Sequence, residues 1–181
     1  MKSTNIILLI LGLGFALLGL NACSDDSADY STSVVERSKV ESTPGFTWFE
    51  MKVAIYQPND SIVAEIKNKL TNDDYFYFYA APACSCDSLQ DVFPNTVKTI
   101  DRAGISTSRQ VFIAIQDVSA ENPFGSNFVL TELPEIFLVR DSLPVYSIAD
   151  TFRLRNELAK NSPLLYSETT IEEVILEALS K

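Results

Sequence analysis

A continuous run of apolar and aromatic residues, Tyr75 to Ala81, is the strongest fold signal in this chain. It reads Tyr-Phe-Tyr-Phe-Tyr-Ala-Ala, so a strand formed by it carries apolar side chains on both faces. Such a strand must be covered on both sides, which is typical of the centre of a sheet in proteins that mix strands with helices. The run therefore predicts a central strand of an α/β domain.

Two further patterns precede this run. Ile62, Ile66 and Leu70 recur at four-residue spacing and predict a helix that Asp60 caps. Val53 to Tyr56 is a short run that favours a strand. We therefore expect a strand and then a helix ahead of the central strand.

The sequence after the central run predicts one long helix, three strands and two closing helices. The long helix spans Asp87 to Gly104, with Gly104 as its C-cap. The strands are predicted at 110–116, 136–139 and 145–149, with a turn at Asp141-Ser142, and the closing helices begin near Thr151 and near Thr169 or Thr170. This order implies a mixed central sheet with helices on both faces.

The composition narrows the possible chemistry. The 181 residues contain no histidine, and the formal charge is −10 at pH 7. Without an imidazole, Ser-His-Asp and Cys-His catalytic pairs and histidine-containing metal sites are excluded. The acidic excess argues against nucleic acid as a partner, because phosphate binding requires positive charge. Any chemistry must come from thiols, carboxylates, hydroxyls or backbone groups, and we predict no cofactor and no metal.

The N-terminus has the features of an export signal. Lys2 precedes an apolar run from Ile6 to Leu20, shorter than the roughly 20 residues that a helix needs to cross a bilayer. The sequence Leu20-Asn21-Ala22-Cys23 that follows resembles the lipobox of bacterial lipoproteins. The resemblance implies that residues 1–22 are removed and that Cys23 carries lipid, such as palmitate. Ordinary secretion with a cleavable signal peptide is the alternative.

Residues 23–43 are predicted to form a flexible, lipid-anchored tether ahead of a folded domain at 44–181. Ser24 to Thr43 is dominated by Ser, Thr, Asp and Glu, which cannot bury enough area to offset ordering entropy. Fully extended, the tether reaches roughly 70 Å. Ser24-Asp25-Asp26 resembles a signal that sends some lipoproteins to the outer face of the outer membrane, and a solvated charge run is the alternative. We expect a cell-envelope protein anchored to the outer membrane, on its periplasmic face or at the cell surface.

Cys84 and Cys86 are the chemical centre of the sequence. They lie between the central strand and the start of the long helix, where free backbone N–H groups stabilise a thiolate and the neighbouring Asp87 opposes it. Three interpretations are open. The pair is a redox-active dithiol, an inert disulfide or decayed site in a binding module, or a soft-metal site such as Cu(I) on two thiolates.

These features together resemble the thioredoxin superfamily. The matching pieces are the apolar strand ending at Ala81, a cysteine at the start of the next helix, Pro94 eight residues after Cys86, and Pro134 just before a hairpin strand. The resemblance covers Tyr75 to Lys181 and implies a thioredoxin-like three-layer fold. It also implies that Pro134 is a cis-proline beside the thiols that positions an extended substrate chain. The alternatives are an ordinary turn proline for Pro134, and a helix kink or early helix end for Pro94.

The active-site sequence departs from the Trp-Cys-x-x-Cys of the family. Ser85 stands in the Trp position and Leu89 in that of the second cysteine, so the usual resolving thiol is absent. Cys84 then takes the resolving role for the nucleophile Cys86. A Cys-x-Cys bridge is strained, because its Cα atoms must come within about 7 Å, and strained bridges are more oxidising. The resemblance implies thiol–disulfide exchange with client proteins or small thiols, and a non-catalytic binding lipoprotein is the alternative.

Overall fold

The computed structural model describes residues 32–43, 45–82 and 87–181, and of residues 87–89 the backbone only. Five strands of the described chain form one mixed sheet. They are β1 (Ser33–Val35), β2 (Tyr75–Ala80), β3 (Gln110–Ala114), β4 (Glu135–Arg140) and β5 (Leu143–Ser147). The order across the sheet is β1-β3-β2-β4-β5, with β2 parallel to β3 and the other pairs antiparallel. The prediction of an α/β domain with a central aromatic strand is confirmed.

Five α-helices accompany the sheet within the described ranges. They are α1 (Phe49–Ile55), α2 (Asp60–Lys69), α3 (Asp87–Ala103), α4 (Ile148–Asn161) and α5 (Ile171–Ala178), with 3-10 helices at Arg37–Lys39 and Thr107–Arg109. Gly104 follows α3 with a φ of +94°, as expected for a C-cap glycine. Thr170 forms a capping box with Glu173 at the start of α5. These two predicted helix ends are confirmed.

Other boundaries differ by a few residues. The cap of α2 is Asn59 rather than Asp60, because the Asn59 side chain accepts from the backbone of Ser61 and Ile62. Helix α4 begins at Ile148, ahead of Thr151, so β5 ends earlier than expected. The predicted turn between β4 and β5 is confirmed, since Asp141 and Ser142 have φ values of 51° and 63°.

The strand predicted at Val53 to Tyr56 is wrong, because α1 occupies this part of the chain. Phe49 and Val53 lie four residues apart, on one helical face, and both are buried. Burial of this face against the core stabilises the helix more than the local preference of four residues stabilises a strand.

The folded domain begins before residue 44, where the sequence analysis placed it. Ser33–Val35 pairs with β3, and Val40 is buried in the core. Residues 33–43 therefore belong to the fold and not to the tether. The chain between Cys23 and β1 is short, so the longest tether that it allows falls from roughly 70 Å to about 35 Å.

The two faces of the sheet are covered by different parts of the chain. On one face, alternate residues of β2, β3 and β4 pack in a single cluster with the buried residues of all five helices. On the other face, Tyr79, Ile113 and Phe137 share a second cluster with Phe128 of the irregular segment 116–134. Among the described residues no helix contributes to this second cluster, so the helix layer expected on this face is not seen there. Aromatic residues of the irregular segment bury the second face in its place.

An aromatic cluster holds α3 against the sheet. The ring centroid of Phe93 lies 5.2 Å from that of Phe78, 5.3 Å from that of Phe49 and 5.7 Å from that of Phe112. All three pairs are edge-to-face, a favoured aromatic geometry worth about 0.5–1.5 kcal/mol per pair beyond area burial. Helix α3 continues through Pro94 to Ala103, so Pro94 does not end it.

Candidate functional site

The predicted catalytic cysteines, Cys84 and Cys86, lie outside the described residues, and so does Cys23, the predicted lipidation site. Both flanks of the cysteine segment (residues 83–86) are described, since Pro82 follows β2 and Asp87 is the first residue of α3. The candidate site is therefore defined by these flanks and by the Pro134 segment (residues 131–135).

A close backbone contact holds the N-terminal flank of the cysteine segment. Pro82 is buried, and a Cβ added to Gly45 would lie 1.9 Å from the Pro82 carbonyl oxygen. Gly45 also has a φ of +90°, so this position requires glycine for two reasons. The Trp48 indole Nε1 donates a hydrogen bond of 2.8 Å to the Gly45 carbonyl oxygen. The segment ahead of α1 therefore packs against the chain just before the cysteines.

Pro134 reaches the edge of the sheet from which the cysteine segment departs. Its neighbour Glu135 pairs with Tyr79 in the antiparallel ladder between β2 and β4. Pro134 directly precedes this last pair, so it lies next to the C-terminal end of β2. The Leu133–Pro134 peptide bond is cis, in agreement with the resemblance.

Helix α4 lies against the Pro134 segment and is joined to it by polar contacts. Arg153 Nη1 donates to the Pro134 carbonyl oxygen at 2.6 Å. Thr131 Oγ1 donates to Asp150 Oδ2 at 2.8 Å. The sequence analysis did not identify these residues, because no local pattern relates a helix to a proline 19 residues earlier in the chain.

Glu135 is the buried acid of this cluster. Its Oε1 accepts the Ile136 backbone N–H at 2.7 Å, whereas Oε2 lies 3.7 Å from Arg153 Nη2 and has no hydrogen-bond donor among the described residues. Burial first, and then the neighbouring Asp150, raise the pKa of Glu135 to about 8 and outweigh the backbone N–H of Ile136 and the hydroxyl of Ser147, which act to lower it. Burial also acts to raise the pKa of Asp150, but hydrogen bonds from Thr131, Glu135 and Arg153 outweigh it and lower that pKa overall.

A groove of about 320 Å³ borders the Pro134 segment. It is lined by Asp91, Val92, Phe152, Arg153, Asn156, Glu157 and Lys160, which belong to α3 and α4. Arg153 lines the groove and also binds the Pro134 carbonyl oxygen, so the groove and the proline are adjacent. The charges of both signs on its walls suit a polypeptide better than a polyanion.

The described residues contain no group of three or more His, Cys, Asp or Glu side chains placed to hold a metal ion. Nor does any helix within these ranges have the length and apolar character needed to cross a membrane. The chain matches no protein-family model, no curated protein and no solved structure. The functional interpretation therefore depends on the residues themselves and on where the fold places them.

Proposed function

We propose that this protein is an exported, membrane-anchored lipoprotein whose thioredoxin-like domain exchanges thiols and disulfides through Cys84 and Cys86. The observation that carries the proposal is the β2–β4 register, which brings Pro134 to the end of β2. The cysteine segment leaves β2 at that point and leads into α3. The chain therefore enters the cysteine segment near Pro134, the residue that we propose orients a client chain.

In the proposed reaction Cys86 is the nucleophile. Its thiolate attacks one sulfur of a client disulfide, which forms a mixed disulfide and releases the other client sulfur as a thiolate. The Cys84 thiolate then attacks the Cys86 sulfur and displaces the remaining client sulfur. Two electrons have passed to the client, which becomes a dithiol, and the Cys84–Cys86 disulfide is the oxidised product.

The reverse direction is favoured by the strain of a Cys-x-Cys bridge. A client thiolate attacks the Cys86 sulfur of the bridge and releases Cys84 as a thiolate, and a second client thiolate then attacks the client sulfur of this mixed disulfide and releases Cys86 as a thiolate. The client gains a disulfide and Cys84 and Cys86 return to thiols. The proposed activity is thus that of an oxidant or a disulfide isomerase. The backbone N–H groups at the start of α3 support the thiolate form of Cys86, which directly precedes that helix.

The proposed location agrees with the way the chain enters the fold. Ser33 pairs with Ala114, and Ala114 pairs with Ala80, so the N-terminal strand begins at the same sheet edge as the cysteine segment. A lipid on Cys23 would then hold this edge close to the outer membrane. The proposed partners are the membrane, through that lipid, and client proteins or small thiols in an oxidising compartment.

One sequence feature favours a second candidate function, a non-catalytic binding module. Leu89 occupies the position of the second cysteine in the family's active site, and only the Cys-x-Cys pair remains. In this function an extended partner chain binds in the groove between α3 and α4 without reacting. The two candidates differ in whether the cysteines change oxidation state.

An exchange assay with glutathione or insulin as client separates the two functions. We expect Cys86→Ser to abolish exchange and Cys84→Ser to accumulate a mixed disulfide with the client, because the resolving thiol is missing. Ser85→Ala, which leaves both thiols in place, is the matched control and should retain activity. The domain should begin at or before Thr32, since β1 is part of the fold. Equal rates for the wild type and Cys86→Ser would exclude the redox function and leave the binding module.

A further inference from the structure

Three acidic side chains share one arginine where α4 meets the Pro134 segment. The Arg153 guanidinium lies 3.5 Å from Glu132 and 3.7 Å from Glu135, and it hydrogen-bonds to Asp150. It also donates to the Pro134 carbonyl oxygen. A single positive charge cannot balance three carboxylates in a partly dry site, so a proton on one of them would stabilise the cluster.

Glu135 is the member best placed to carry that proton. Its side chain has no exposed surface, whereas the side chains of Glu132 and Asp150 are 63% and 37% exposed. Water solvates Glu132, and Thr131 and Arg153 donate to Asp150. Within the described ranges the buried Oε2 of Glu135 receives no hydrogen bond, which is costly for a carboxylate oxygen. Oε2 of Glu135 and Oδ1 of Asp150 both lie against Nη2 of Arg153, so Asp150 is the acceptor for a protonated Glu135.

We propose that Glu135 and Asp150 share a proton, and that the resulting hydrogen bond holds α4 against the Pro134 segment. We call this hydrogen bond the latch, and we propose that it breaks when the proton is lost at alkaline pH. Burial raises the pKa of Glu135 to about 8, so the change falls just above neutral pH. Deprotonation places a second negative charge beside Asp150, and among the described residues Arg153 is the one cation that contacts both acids. The latch involves described residues alone and would operate whether or not the cysteines are redox-active.

We considered whether another group near Glu135 could account for a pH response in place of its proton. Tyr79, the cross-strand neighbour of Glu135 on β2, stays neutral because burial raises its pKa to about 12. The buried hydroxyl of Ser147, just before α4, acts to lower the pKa of Glu135, but burial and Asp150 outweigh it. The groove that Arg153 lines also carries three charged residues, which are Asp91, Glu157 and Lys160. Their charges are mixed in sign, which leaves Glu135 as the group that responds to pH.

Release of the latch should loosen the Pro134 segment and the first turns of α4 together. Thr131 and the Pro134 carbonyl oxygen both depend on α4 for their hydrogen-bond partners. A shift of α4 away from the doubly charged Glu135–Asp150 pair breaks these two bonds at the same time. The backbone of the segment that faces the end of β2 is then freer to move at pH 9 than at pH 6.

Hydrogen exchange on the full chain in detergent tests this proposal. Peptides covering 128–136 and 148–156 are followed by mass spectrometry at pH 6 and pH 9, with labelling times scaled to the intrinsic exchange rate. We expect the wild type to lose about tenfold in protection in both peptides at pH 9. Glu135→Gln should keep its protection, because the neutral amide can still donate to Asp150. Glu132→Gln, which changes an exposed acid on the same arginine, should behave as the wild type.

Protection that does not change with pH in the wild type would overturn the proposal, as would an equal loss in Glu135→Gln. A second measurement covers the case in which Glu135→Gln fails to fold. Carboxyl carbon NMR of the wild type should show Glu135 titrating above pH 7. A midpoint near the ordinary value of 4.5 would mean that no proton is shared at neutral pH, and the latch would be rejected.

Discussion

Two buried acids lie near opposite ends of β4, and their surroundings differ. Glu135 begins the strand, and Asp74, which immediately precedes β2, meets Arg140 at the end of the strand. Neither acid has exposed surface. Asp74 Oδ1 accepts from Arg140 Nε at 2.6 Å, and Oδ2 accepts from the Thr71 backbone N–H and hydroxyl at 2.7 and 3.0 Å.

The two sites show that the donors around a buried acid, and not burial alone, decide its behaviour. Both oxygens of Asp74 receive hydrogen bonds, so its negative charge is compensated inside the fold. Glu135 shares its arginine with Glu132 and Asp150, and one of its oxygens receives no hydrogen bond within the described chain. We therefore assign Asp74 a structural role and Glu135 a pH-responsive one.

Removal of the arginine beside Asp74 should have the largest effect. Arg140→Met leaves a fully buried carboxylate without its cation, and a broken buried pair costs roughly 4 kcal/mol. Urea unfolding at pH 7 measures this as a lower midpoint with an unchanged slope. A loss below about 1 kcal/mol would mean that the Thr71 hydrogen bonds alone support the charge, and the contrast with Glu135 would weaken.

Neutralising Glu135 should change the pH dependence of stability. The folded state holds the Glu135 proton up to about pH 8, while the unfolded chain releases it near the ordinary value of 4.5. Between these values the unfolded state binds fewer protons, so the free energy of unfolding falls as pH rises. Relative to Glu135→Gln, the wild type should lose roughly 3 kcal/mol between pH 5 and pH 8. The free energies of unfolding are measured in urea at each pH. If those of the wild type and of Glu135→Gln change with pH in parallel, the pH-responsive role of Glu135 is contradicted.

Loss of the shared arginine should cost less than loss of Arg140. In Arg153→Met, Asp150 remains partly exposed to water, and Glu135 is protonated at pH 6, so no fully buried charge is left unpaired. The lost hydrogen bonds to Asp150 and to the Pro134 carbonyl oxygen predict a destabilisation of about 1.5 kcal/mol. Thermal unfolding at pH 6 measures it, and a cost equal to that of Arg140→Met would remove the distinction between the two sites.

The smallest effect is expected at an exposed ion pair. Arg102 and Asp60 join α3 to α2 with a 2.6 Å contact, and their side chains are 40% and 78% exposed. Water and salt screen such a pair, so Arg102→Gln should cost about 0.5 kcal/mol or less. This variant is the surface reference for the two buried sites, and its urea midpoint should stay within error of the wild type.

Elements with strong local signals were predicted correctly. The aromatic run forms β2, Gly104 ends α3, Thr170 caps α5, and Asp141-Ser142 forms the hairpin turn. Each depends on side-chain periodicity or on backbone chemistry within a few residues. Pro134 was singled out differently, because the resemblance to the thioredoxin superfamily implied a cis-proline just before the first strand of the hairpin.

Elements that depend on distant partners were missed or misplaced. The strand predicted at Val53 to Tyr56 is instead the end of α1, because Phe49 and Val53 pack against the core, and β1 forms because it pairs with β3. Neither partner can be read from the local sequence. The same reason explains why Arg153 was missed, since it contacts Pro134 only after β4 and β5 fold back as a hairpin.

The sequence by itself determined the central strand and the helix that follows the cysteines, because periodicity and capping are local properties. The export signal and the reactive thiol pair stay predictions from the sequence. Only the tertiary structure decided that an irregular segment covers one face of the sheet, and that Pro134 faces the end of β2. It also decided that both oxygens of Asp74 receive hydrogen bonds, whereas Oε2 of Glu135 receives none within the described residues. Burial and hydrogen-bond partners come from residues far apart in the chain, so they become defined only once the chain has folded.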